Sequence, residues 1–216
     1  MKNFIRFCTL FLLTVLLTKL GLSQECETTF TTDVFYTNPC TSEDFVNDDD
    51  ILNTNITVTS DYKTYFRTNE TVNSNCSAAL DIKKPIIIIE GFDIDKSITP
   101  SLIHDLYINR YGAGTQLRNQ GYDIITYNIT SPIISIDVNA KLFAKFIQFV
   151  NNQKEGDEEI IIMGVSMGGL VTRHALTYME ENNIQHQTKL FISFDSPQAG
   201  HISQLVCKKC HMILQS

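Results

Sequence analysis

The most restrictive feature of this chain is a continuous β-branched run, followed by further strand-like stretches separated by helical patterning. Pro85-Ile86-Ile87-Ile88-Ile89 ends at Glu90-Gly91. Tyr122 to Tyr127 and Glu159 to Met163 follow, and then Lys189 to Phe194. A strand apolar on every residue must be covered on both faces, as happens in a parallel sheet with helices on each side. The intervening segments supply those helices. Residues 100–119 are helical in pattern, with a break at Gly112–Gly114, and Gly121 ends them. Residues 138–151 place Leu142, Phe143, Phe146, Phe149 and Val150 at helical spacing, which predicts a helix face packed on the sheet. Leu170–Glu181 is the next helix. Alternating strand and helix predict an α/β fold with a mostly parallel sheet and helices on both faces.

Ahead of this core the character differs. Residues 26–80 are polar and rich in Thr, Asn and Asp, with short alternating stretches at Ile56–Thr59 and Tyr62–Phe66. These predict short antiparallel strands and carry no visible chemistry. Earlier still, Lys2 and Arg6 precede a 12-residue apolar run, Phe7–Thr18, and Gly21 and Ser23 are small residues before a cleavage position. That layout is a secretory leader; spanning a bilayer takes roughly 20 apolar residues. The expected organisation is a leader over 1–23 and one domain over 24–216. The domain divides into a strand-rich part to residue 83 and a parallel core from 84.

Charge and cysteine content narrow the partners. The chain carries 17 Lys and Arg against 24 Asp and Glu, net −7. Loss of the leader removes three bases and no acid. A nucleic-acid partner needs clustered cations, so none is expected, and docking on anionic membranes is disfavoured likewise. Five cysteines remain after the leader: Cys26, Cys40, Cys76, Cys207 and Cys210. One bridge among the first three is expected in a secreted chain, with pairing open. Asn55, Asn69, Asn75 and Asn128 begin N-x-[ST] sequons, so each is a candidate glycan site. Cys207-Lys208-Lys209-Cys210-His211 spells a haem-attachment pattern, but no small helical domain precedes it. A disulfide, free thiols or a divergent tail is the preferred reading. No metal or organic cofactor is expected.

The chemistry resides in Gly164-Val165-Ser166-Met167-Gly168-Gly169, a G-x-S-x-G pattern between the third apolar strand and its helix. Strand, tight turn and helix are the setting in which such a serine becomes a nucleophile. Gly164 and Gly168 leave room for strand and helix to approach. The Met167 N–H, at the helix start, faces a developing oxyanion. The Phe92 N–H, in the turn Glu90-Gly91-Phe92-Asp93, is the second oxyanion candidate, with Asp93 next to it.

The stretch Gly164–Arg173 resembles the nucleophile elbow of α/β-hydrolase lipases and esterases, particularly the branch that includes the GPI inositol-deacylases. Phe194-Asp195-Ser196-Pro197-Gln198-Ala199-Gly200 is similar to a strand-end segment of those enzymes, with Gln198 where His is common. The resemblance covers residues 84–204. It implies a secreted serine hydrolase of carboxylic esters, acting on a small-molecule or lipid ester through Ser166, with an acid and then a His following in the chain. His174 is about 12 Å along the helix from Ser166, and His186 is expected at the far end of the sheet. His104 has no expected direction. Asp195 and His201 are the acid and base candidates the chain itself contains. The expectation is that the usual His lies in a further segment and that the chain is truncated. The other reading is an inactive truncated module that binds a partner through an exposed sheet edge.

Overall fold

In the computed structural model the described residues are 22–23, 25–37, 53–68, 70, 72–73, 81–91, 93, 97–129, 135–196, 203–207 and 210–214. The elements are β1 (Glu25–Thr37), β2 (Asn53–Tyr65), β3 (Pro85–Ile89), α1 (Pro100–Ile103), α2 (Ala113–Asn119), β4 (Asp123–Asn128), α3 (Ile136–Gln153), β5 (Ile160–Val165), α4 (Met167–Glu181) and β6 (Thr188–Phe194). A hairpin of β7 (Ser203–Cys207) and β8 (Cys210–Leu214) follows. Leu22–Ser23 pairs with Val72–Asn73.

One six-stranded sheet, ordered β1-β2-β4-β3-β5-β6, holds the molecule together. The four strands β4, β3, β5 and β6 are parallel, whereas β2 is antiparallel to both β1 and β4. Every residue of β3 and β4 is buried, as the unbroken apolar run of β3 requires, and β4 buries Asp123, Thr126 and Asn128 along with its apolar residues. The sheet is therefore mixed but mostly parallel, with helices against both faces.

The N-terminal strands differ from expectation. Instead of short pieces, β1 and β2 are each 13 residues long and pair over their whole length, joining the main sheet through β4. The reason lies in alternation. Val58 and Tyr62 of β2, with Val34 and partly buried Phe30 of β1, face α3, while Thr29 and Asp61 pair by a 2.7 Å hydrogen bond. Period-two alternation continues through polar residues that apolar counting ignores.

The α3 face is built from aromatic rings. Phe146 lies 4.6 Å from Tyr127, 5.0 Å from Tyr62 and 5.4 Å from Phe30, centroid to centroid. Burial in this layer pushes the Tyr62 phenol up to about 12. Ser135 caps α3, accepting from the Val138 N–H at 3.3 Å. On the opposite face, Ile103 and Ile108 pack on Tyr65, Ile86, Ile88 and Ile124. Here α1 runs into a π-helical turn, His104–Ile108, a form rare outside functional or strained positions. This cover stops short of β6. Leu190, Ile192 and Phe194 are exposed by 48%, 39% and 53%.

His104 is 6% exposed, its ring stacked on Tyr65 at 3.8 Å, with Nδ1 3.3 Å from Asp105 Oδ1. Burial lowers its proton affinity, against the opposing pull of Asp105. The folded chain thus binds this proton less readily than the unfolded chain, and stability falls as pH drops through about 6.5, the unfolded value. The drop in Tm between pH 7.5 and 5 should be smaller in His104→Gln. An equal drop in both proteins would show that His104 contributes nothing.

Candidate active site

β5 leads into α4 through one residue, Ser166, and that residue carries the strain. Its φ of 51° and ψ of −126° lie where L-residues other than glycine seldom sit. Its N–H donates to Phe194 O at 3.0 Å, so the turn is tied to the end of β6. Its carbonyl accepts the Gly169 N–H at 3.1 Å. The first N–H groups of α4 have no carbonyl partner inside the helix and point back toward the serine.

The glycines around it are required by closeness. A Cβ on Gly164 would lie 2.6 Å from Gly169 Cα and 2.8 Å from Gly168 O. A Cβ on Gly168 would collide with the carbonyl of Ile89, and one on Gly169 with the Ser196 side chain. Gly91 belongs to the same contact: its Cβ would lie 2.5 Å from Met167 Cβ and 2.6 Å from Gly168 N. The turn after β3 is therefore pressed against the first residues of α4. Because the Gly164 neighbours are backbone atoms, Gly164→Ala should cost about 3 kcal/mol, the upper end of ordinary overpacking. Urea unfolding checks this, and a loss under about 1 kcal/mol would contradict the contact.

Phe92 lies outside the described residues, as does His201. Asp93 is buried, and its carboxylate accepts the N–H groups of Ser97 at 3.1 Å and Ile98 at 2.7 Å. It shapes the turn that leads to α1. Asp195 ends β6 with φ of 46° and is exposed, one residue past the carbonyl that holds Ser166. Glu90 and Tyr107 were not expected at this rim. Glu90 is buried, its Oε1 accepts the Gly91 N–H at 3.1 Å, and its charge acts on the Tyr107 phenol. Burial, Glu90 and Asp195 together push the Tyr107 phenol up to about 12. Only the place of Glu90 before Gly91 could have indicated this.

His174, His186 and His104 stand away from the elbow. His174 is exposed on α4. His186 precedes β6 at the opposite sheet edge, with Nε2 3.5 Å from Glu180. His104 packs on Tyr65, which pairs with Ile124 near the start of β4. Asn128, a sequon residue, is 6% exposed and its Nδ2 donates to Ile98 O at 2.6 Å. A glycan on that nitrogen is incompatible with this packing. Asn69 and Asn75 lie outside the described residues, as do Cys40, Cys76 and the leader. Cys26 is buried and disulfide-bonded. Cys207 and Cys210 are register partners in the β7–β8 hairpin. Among the described residues no helix is long and apolar enough to cross a membrane, and no cluster of side chains could hold a metal ion.

Residues 133–210 match a family model described as "Putative serine esterase (DUF676)". No curated protein matches the chain. Among solved structures, the mature lipase BlEst2 of Bacillus licheniformis is 20% identical, with TM-score 0.41, over 60% of this chain and 46% of that one. Esterase 2 of Thermogutta terrifontis is 14% identical, with TM-score 0.43, over 64% and 49%. The peroxisomal α/β-hydrolase Lpx1 of Saccharomyces cerevisiae is 11% identical, with TM-score 0.45, over 84% and 46%. The chain thus spans about half the length of these structures. At such identities the likenesses carry no inference about activity. The sheet is mixed and mostly parallel with helices on both faces, and residues 133–210, from the approach to α3 through the β7–β8 turn, are similar to the serine-esterase family.

Proposed function

We propose that this protein is a secreted serine hydrolase of carboxylic esters. The observation that carries the reading is the backbone of Ser166, held at positive φ between strand and helix with glycines packed around it. Strain of this kind persists only where its surroundings enforce it, and here it lifts one hydroxyl above the sheet edge. In the proposed reaction Ser166 Oγ attacks the ester carbonyl and forms the C–O bond. Its proton passes to a histidine base, which gives it to the departing alcohol. Water then cleaves the acyl-serine by the same route. The Met167 and Phe92 N–H groups hold the oxyanion, each worth about 3 kcal/mol. The base is a histidine oriented by a carboxylate. A His from a further segment is the proposed base, and His201 with Asp195 is the alternative within this chain. Secretion is supported by the leader pattern and by the disulfide at Cys26.

The test is turnover of p-nitrophenyl esters of graded acyl length by the native full-length protein. Saturable hydrolysis of at least one of them is expected, and no hydrolysis of any overturns the proposal. A second reading, an inactive module binding a partner, is favoured by the exposed apolar residues Leu190, Ile192 and Phe194 on edge strand β6. Ester turnover lost on replacing Ser166 counts against it.

A further inference from the structure

A cavity of about 240 Å³ lies beneath the start of α1, lined in part by Glu27, Asp61, Asp93, Ile98, Thr99 and Asn128. Strand register fixes its position. Tyr127 pairs with Ile89, and Ile89 with Gly164, so Asn128, Glu90 and Val165 form the next row across the sheet. With strands about 4.8 Å apart, the Asn128 backbone stands about 10 Å from the Ser166 elbow. The loop after β3 joins the two places, since Gly91 touches Met167 while Asp93 lines the cavity. Both lie on the rim formed by the C-terminal ends of the parallel strands, where open α/β sheets receive ligands.

The chemistry of the lining is one-sided. Asn128 is 6% exposed and spends its Nδ2 on Ile98 O, whereas its buried Oδ1 accepts no hydrogen bond. A buried acceptor left in that state is unfavourable until a donor reaches it. Asp93 accepts two backbone N–H groups and Asp61 accepts the Thr29 hydroxyl, and both carboxylates keep further lone pairs. Thr99 Oγ1 already accepts the Leu102 N–H. No Lys, Arg or His is among the described lining residues. Lys63 pairs with the lining carboxylate Glu27 at 3.6 Å, whereas Asp61, Asp93 and Asn128 Oδ1 offer oxygen lone pairs.

We propose that this cavity binds a primary ammonium group, with Asn128 Oδ1 accepting its N–H and the Asp61 and Asp93 carboxylates balancing its charge. On the esterase reading, it receives the ammonium-bearing part of the ester substrate; binding of the free ammonium compound does not depend on that reading.

The test titrates ethanolamine hydrochloride, choline chloride and glycerol into the full chain carrying Ser166→Ala, followed by calorimetry or NMR. Ethanolammonium should bind saturably. Choline, which has the charge but no N–H, should bind about tenfold more weakly, the worth of one hydrogen bond to a charged group. Asp61→Asn keeps the shape and should weaken ethanolammonium binding about fivefold, as loss of a partly exposed charge does. Glycerol should not compete. Absence of saturable ethanolammonium binding, equal binding of glycerol, or indifference to Asp61→Asn each overturns the proposal. A parallel comparison of 2-aminoethyl and ethyl esters with the wild-type chain separates the two ideas. Ammonium binding without any ester turnover leaves the cavity standing and removes the esterase reading. Turnover without ammonium binding does the reverse.

Discussion

Ser166→Ala is expected to reduce ester turnover by about 10⁶-fold in kcat, the loss seen when a hydrolase nucleophile is removed. The same variant should remain folded, because the Ser166 contacts that hold the turn are made by its backbone: N–H to Phe194 O and carbonyl to the Gly169 N–H. Ser166→Gly separates chemistry from strain. Glycine adopts φ of 51° without the penalty other residues bear, so this variant should be more stable than wild type by about 1 kcal/mol while equally inactive. If Ser166→Gly destabilises the chain, the positive φ is not strained, and the argument from strain to function fails.

Asp123→Ala should cost about 3–5 kcal/mol, the usual penalty for breaking a buried ion pair. Asp123 has no exposed surface and opens β4, at the end of the strands opposite Ser166. Its Oδ1 accepts the Arg67 N–H at 2.7 Å, and its Oδ2 accepts the Lys83 N–H at 2.8 Å and Arg67 Nη1 at 2.9 Å. Arg67 also reaches Asp81 at 2.8 Å and Glu70 at 2.6 Å. One carboxylate thus ties the chain after β2 and the approach to β3 to the start of β4. Removing it leaves two backbone donors and a half-buried guanidinium short of an acceptor. A domain of ordinary stability, about 5–15 kcal/mol, would lose a large share of its margin. Denaturant unfolding measures this, and a loss below about 1 kcal/mol would show that the network is incidental.

The contrast between Ser166 and Asp123 shows what the sequence made legible. The elbow is local: strand, glycine, serine and helix lie within about 20 consecutive residues, and the spacing states the geometry. The same holds for β3 and β5, whose apolar runs mark strands covered on both faces, and for the aromatic face of α3, whereas the apolar residues of β6 are left exposed. The Arg67–Asp123 pair is separated by 56 residues and has no pattern, because it forms only when the sheet brings β2 and β4 together. The length of β1 and β2 was hidden because their outward residues are Thr, Asp and Lys, which read as loop. Asn128 read as an exposed sequon because its triplet says nothing of burial; its place at the end of a fully buried strand decides otherwise. Tyr107 and Glu90 meet across a loop and a π-helical turn, beyond the reach of local spacing.

A Ser166 hydroxyl activated as proposed must react with a serine-directed phosphonate. The most direct measurement treats the native full-length protein with an alkyl fluorophosphonate and locates any adduct by peptide mass spectrometry. One stoichiometric phosphonyl group is expected, on the peptide containing Ser166, with ester turnover lost in step with adduct formation. A protein that stays unmodified, or is modified at another serine while its ester turnover disappears, would contradict the proposed activation.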